Sequence, residues 1–164
     1  MTIKEVLFTE NSLNQIEEFL QNHKKGTEFG GALVGYQKGE VLIITHASSP
    51  GKSAKMTYSS IEFDKEHVTK FCNDINKKSD YMLYFLGDWH THPSKNLNPS
   101  QKDIKAIKKL ANYFPLEFRE NILMVIVSQY DIKHLKTYIL TSNKNLKETS
   151  HSTIVDPNWI EEFI

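Results

Sequence analysis

Apolar positions recur along this chain with two different periods. Leu13, Ile16, Phe19 and Leu20 return every three or four residues behind Asn11 and Ser12, either of which can cap a first turn, so a covering helix is expected there, ending near Asn22-His23. From Asp64, the positions Val68, Phe71, Cys72 and Ile75 repeat that spacing, and polar residues from Asn73 to Asp80 close a second helix. Ile104, Ile107, Leu110 and Ala111 mark a third, behind the capping-box sequence Ser100-Gln101-Lys102-Asp103. Between the helices lie short runs that are apolar almost throughout: Thr27 to Tyr36, Val41 to His46, Tyr81 to His90 and Asn121 to Ser128. These read as strands, and the lack of polar alternation in Tyr81–His90 places it centrally, buried on both faces. Gly30, Gly31, Ala32 and Gly35 suggest a strand that other backbone approaches closely.

The connections are less informative. Gln37-Lys38-Gly39-Glu40 makes a hairpin, Pro50 to Ala54 is a loop, and Lys55 to Phe63 holds at most a short strand. After the break at Tyr113-Phe114-Pro115, Gln129-Tyr130-Asp131 suits a tight hairpin into an alternating strand over Ile132–Thr141, and Asn143-Lys144-Asn145 is a turn. The stretch from Lys147 is polar, then ends in a short docked helix around Trp159-Ile160. One domain over residues 1–164 is expected, with a core of about 5–141 and a C-terminal extension over 142–164.

Composition narrows the class. With 164 residues, 39% hydrophobic and 24% charged, the chain has the make-up of a soluble globular domain. Basic and acidic residues both number 20, so a nucleic-acid protein working by phosphate neutralisation is not expected. No run approaches the ~18 apolar residues of a membrane span, and no basic segment leads into an apolar leader. Cys72 is the one cysteine, which excludes an internal disulfide and suits a reducing compartment. Its place on an apolar stripe marks a buried, inert thiol. A cytoplasmic protein is expected.

The chemistry gathers at one place. His90 and His92 stand two apart at the end of the central strand, so in extended backbone they share a side, ~6–7 Å apart, while Thr91 points away. Eight residues after His92, Ser100 and then Asp103 open the third helix. Each has a purely structural reading, as N-cap and as a carboxylate favoured by the helix dipole. A helix start can also aim Asp103 back at the strand end. Two imidazoles and a carboxylate leave a tetrahedral zinc one open position, the pattern of catalytic sites. Zinc there would lower the pKa of a bound water from ~15.7 towards ~7. Glu28, alone among glycines, is the candidate general base, and Ser100 the candidate oxyanion donor. There is no His-Glu-x-x-His and no cysteine pair for a nucleoside-deaminase site.

The series Glu28, His90-Thr91-His92, seven residues, Ser100, two residues, Asp103 resembles the JAMM motif of the MPN (JAB) metalloproteases. The resemblance runs from about Thr27 to Leu110. It implies an α/β fold with a central mixed sheet of the cytidine-deaminase-like kind flanked by helices. It further implies one zinc on His90, His92 and Asp103, with Glu28 as base and Ser100 supporting the oxyanion. Gly87 to Pro93, Pro50 to Ala54 and Phe63-Asp64 are similar to bacterial JAB proteins encoded beside ubiquitin-activating-type enzymes, although Asp88 replaces a glutamate. Some of those serve the CBASS antiphage systems, where the protease releases a conjugated cGAS-like nucleotidyltransferase; others process ubiquitin-like or sulfur-carrier proteins. The implied partner is thus the C-terminal tail of a ubiquitin-like protein or of such a nucleotidyltransferase, with no nucleic acid and no membrane. A different zinc amidase and an inactive binding module are the alternatives.

Overall fold

The apolar runs become neighbours in one mixed sheet. The computed structural model describes residues 2–114 and 120–164; Pro115 lies outside them. In chain order the elements are β1 (Glu5–Thr9), α1 (Glu10–Asn22), β2 (Gly30–Lys38), β3 (Val41–Ala47), β4 (Lys55–Met56), β5 (Ile61–Glu62), α2 (Lys65–Lys78), β6 (Tyr84–His92), α3 (Gln101–Ala111), β7 (Ile122–Ser128), β8 (Leu135–Leu140) and β9 (Leu146–Ile154). A 3-10 helix, Asn158–Phe163, ends the chain. The sheet runs β1-β3-β2-β6-β7-β8-β9, and β9 returns to pair in parallel with β1, so the sheet closes on itself. β6 holds the middle, antiparallel to β2 and parallel to β7, as its unbroken apolar character requires. The fold class is therefore the mixed α/β arrangement that the resemblance implied.

Period two along β7 divides the core. Leu123, Val125 and Val127 meet Leu33, Trp89, Phe8 and the α1 residues Ile16 and Leu20 on one face. Met124 and Ile126 meet Ile107 and Ala111 of α3 on the other. Each such buried Leu, Ile, Val, Phe or Met side chain contributes ~1.5–3 kcal/mol of transfer free energy. α2 and the 3-10 helix cover Val34 and Leu83, with Ile160 of that helix fully buried. Cys72 packs in this third cluster, where burial pushes its thiol up to about 12. It is inert at neutral pH.

Several boundaries differ from expectation for local reasons. The cap of α1 is Thr9, whose hydroxyl accepts from the Ser12 N–H at 3.3 Å. Asn11 instead donates its side chain to the Thr45 carbonyl, at 2.9 Å. β6 starts at Tyr84, because Asp80 and Tyr81 take positive φ values of 52° and 66° in a turn that leaves Met82 exposed. The link after β7 is not a tight hairpin at Gln129-Tyr130-Asp131. It reaches to His134, and Gln129 turns inward to be only 2% exposed. β1 and β9 are strands that the pattern did not announce. β9 is exposed over most of its length, so polarity there reflects a surface strand and not a loop.

Candidate metal centre

Three elements and one loop build the site. β6 projects His90 and His92 to the same side, facing Ile126 and Ser128 of β7 across a parallel ladder. The outer neighbour, β2, presents Gly30 opposite His90. A Cβ on Gly30 would lie 2.0 Å from the Trp89 carbonyl and 2.8 Å from the His90 Cα, so glycine is required for this approach. Trp89, fully buried, points the other way, stacks on Phe19 and donates its indole N–H to the Ser48 carbonyl at 3.1 Å. The strand end carrying the histidines is thus anchored from behind by core packing.

α3 supplies the carboxylate. Ser100 is its N-cap, and the capping box is complete: the Ser100 hydroxyl accepts from the Asp103 N–H at 3.1 Å, and Asp103 Oδ2 accepts from the Ser100 N–H at 2.8 Å. The same Oδ2 lies 3.0 Å from His92 Nε2, while Oδ1 lies 3.3 Å from His90 Nε2. The structural reading of this cap and a ligand role are therefore geometrically compatible, since one carboxylate reaches both the helix start and the two histidines. Ser100 accepts with its oxygen and keeps its own proton to donate.

Glu28 stands two residues before β2, held by donation of its N–H to the Thr57 carbonyl at 2.7 Å in the β4–β5 turn. It is 4% exposed, against 8% or less for His90, His92 and Asp103. Ligand atoms of Glu28, His90, His92 and Asp103 all lie within 4.8 Å of one another. The expected residues are brought together, with Ser100 adjoining through Asp103.

The electrostatics follow. Burial pushes the Glu28 carboxyl up, and the nearby His90 offsets that only in part. Burial also opposes ionisation of Asp103, but hydrogen bonds from His90 and His92 outweigh it and hold its carboxyl well below the usual range. Burial lowers His92, yet its contacts with Asp103 and the Asn96 carbonyl raise it on balance. Asp88, on the same side of β6, is pushed up to about 6 by burial.

These donors fit a divalent cation. His92 Nδ1 lies 2.7 Å from the Asn96 carbonyl, which can only accept, so Nδ1 carries a proton and Nε2 is the nitrogen directed at the cluster, able to bind a metal once it has lost its own proton. Two imidazole nitrogens and an ionised carboxylate then converge, with a second carboxylate beside them. That N/O set suits zinc or a neighbouring transition metal.

Sequence reasoning missed the carbonyls of Asn96 and Thr57, since backbone acceptors leave no signature. It also read Gln129 only as a turn residue.

A family model described as prokaryotic homologs of the JAB domain matches residues 15–139. A protein of Escherichia coli (strain TW11681) named CD-NTase/cGAS isopeptidase is 33% identical over 72% of this chain and 72% of its own length. One of the same name from Vibrio cholerae serotype O1 is 24% identical over 73% of each. In fold, the chain resembles the solution structure of a Desulfitobacterium hafniense protein, with a TM-score of 0.65 at 17% identity, covering 93% of this chain and 95% of that one.

Proposed function

The chain belongs to the prokaryotic homologs of the JAB domain, and from that premise we propose that it is a zinc isopeptidase. Its substrate would be a conjugate made through the C-terminus of a cGAS-like nucleotidyltransferase, in the setting of CBASS defence in the bacterial cytoplasm. The observation that carries the reading is the buried convergence of Glu28, His90, His92 and Asp103 within 4.8 Å. The names of the two relatives support the substrate class.

His90, His92 and Asp103 would hold the ion. Zinc, when bound, supplies a Lewis acid that acidifies water and polarises the scissile carbonyl. Glu28 takes a proton from the attacking water as its oxygen bonds to the carbonyl carbon. Its raised affinity for that proton suits a base that must also give it up again. As the carbon–nitrogen bond breaks, Glu28 hands the proton to the departing amine. The Ser100 hydroxyl, with its hydrogen free, donates to the developing oxyanion. Because the seven-stranded sheet is closed, β4 and β5 are, among the described residues, the strands that keep an unpaired edge. They adjoin Glu28 through Thr57, so an extended substrate tail would pair there.

The test is direct. A cGAS-like nucleotidyltransferase joined through its C-terminal carboxyl to a lysine of a second protein should separate into two bands on a gel. Chelator should stop cleavage and zinc should restore it. Purified protein that binds no zinc, or cleavage that survives chelation, would sink the proposal. Preference for the tail of a ubiquitin-like precursor over this conjugate would transfer the substrate to the modifier systems.

A further inference from the structure

Glu28 lies in a stretch, from His23 to Phe29, that belongs to no helix or strand. A base that moves a proton must nevertheless be held to within a fraction of an ångström. Two buried side chains outside the metal cluster meet this need. Thr91 is fully buried, and its Oγ1 accepts from the Phe29 N–H at 3.0 Å and from Gln129 Nε2 at 3.1 Å. Gln129 also donates to the Thr27 carbonyl, and its Oε1 accepts from the Gly26 N–H at 3.3 Å. Lys25 Nζ in turn donates to the Gln129 carbonyl. The amide is thus oriented without ambiguity, with its nitrogen facing oxygens and its oxygen facing an N–H.

We infer that Gln129, acting through Thr91, is a positioning residue for Glu28, clamping the Gly26–Phe29 segment onto the strand that carries the metal ligands. The inference rests on the reading of Glu28 as the base. The alternation of β6 explains the economy of the arrangement. His90 and His92 face the cluster, while Thr91 between them faces the segment that carries Glu28. One strand therefore sets both ion and base. Gln129 follows directly after β7, which pairs with β6 up to His92–Ser128, so the clamp is rigidly joined to the same ladder.

The test uses the full chain loaded with zinc, in four variants. Gln129→Ala removes the clamp, Gln129→Glu keeps its shape but cannot donate to the Thr27 carbonyl, Thr91→Val removes the acceptor, and Thr91→Ser retains it. Hydrogen exchange at the Phe29 and Gly26 amides, followed by NMR, should accelerate ~10-fold or more in the first three, which lose local protection, and not in Thr91→Ser. On the nucleotidyltransferase conjugate, kcat should fall by up to about 10²-fold in those three. KM and zinc content should hold, and Thr91→Ser should recover the rate. Unchanged amide exchange overturns the clamp. Faster exchange with wild-type kcat overturns its positioning role. A wild-type chain that cleaves neither the conjugate nor a ubiquitin-like precursor sinks the reading of Glu28 and that role with it, while the exchange arm still judges the clamp alone.

Discussion

At the level of single residues, the two carboxylates of the site have been driven apart by their surroundings. Asp103 is surrounded by donors, two imidazoles and the Ser100 N–H, and stays ionised. Glu28 has burial and no such donors, and holds its proton more readily. That contrast suits a ligand and a base respectively. Glu28→Ala should therefore retain zinc, measured by metal analysis of the dialysed protein, and lose at least about 10²-fold in turnover as a missing general base does. Asp103→Ala should lose the metal as well. Ser100→Ala removes a donor and also a cap, and these separate cleanly. The lost cap costs about 1 kcal/mol of stability, read as a lower Tm, while the lost donor costs ~10²-fold in kcat with metal retained. An unaltered rate in Ser100→Ala would leave that residue the cap alone.

Among the elements, β2 and β6 must approach more closely than ordinary side chains allow. Gly30→Ala would drive a methyl into the Trp89 carbonyl, and the two strands would have to separate at His90. Overpacking of this kind costs about 1–3 kcal/mol. A lowered Tm with weakened zinc affinity is the expected outcome, and full affinity would show that the strand end yields without moving its ligands. The 3-10 helix at the C-terminus is held differently. His46, 3% exposed, contacts the Phe163 carbonyl through Nε2 at 2.9 Å, and Thr45 Oγ1 through Nδ1 at 2.8 Å. Burial lowers His46 below 6.5, and Phe163 and Asp156 offset this only in part. The unfolded chain thus binds a proton the folded one resists, so this stability is present above pH 6.5 and lost as pH falls below it. The Tm of the wild type should drop more steeply between pH 7 and 5.5 than that of His46→Gln. Parallel slopes would acquit His46.

For the whole molecule, closure is the main feature. β1 pairs with β3 on one side and β9 on the other, so the first and ninth strands complete the sheet. Ending the chain at Thr141 would remove β9 together with the 3-10 helix, exposing a full edge of β1 and one of β8. Unpaired edges template association. The shortened chain should run as aggregates in size-exclusion chromatography, and a monomer with native melting would show that β9 is dispensable. No helix among the described residues is long and apolar enough to cross a membrane.

How much of this was legible in the chain depends on how local each determinant is. Helical and strand periods are local, so α1, α2, α3, β2, β3, β6 and β7 could be read within a few residues at their ends. The pair His90 and His92, and the capping box of Ser100 and Asp103, are short-range patterns whose geometry backbone periodicity dictates; they singled out the site before any fold was known. β1 was too short to show a period, and β9 carries polar residues on an exposed face, so only their pairing, with β3, β8 and each other, reveals them as strands. Gln129 had the composition of a turn, and its role emerges because the fold sets it against Thr91 and Gly26. Sequence by itself determined which groups are available and how neighbours along the chain are aimed. Tertiary structure alone decided which distant segments close the sheet and what holds Glu28 beside His90. Hydrogen bonds spanning a hundred residues have no periodic trace, because their partners become neighbours only when the chain has folded.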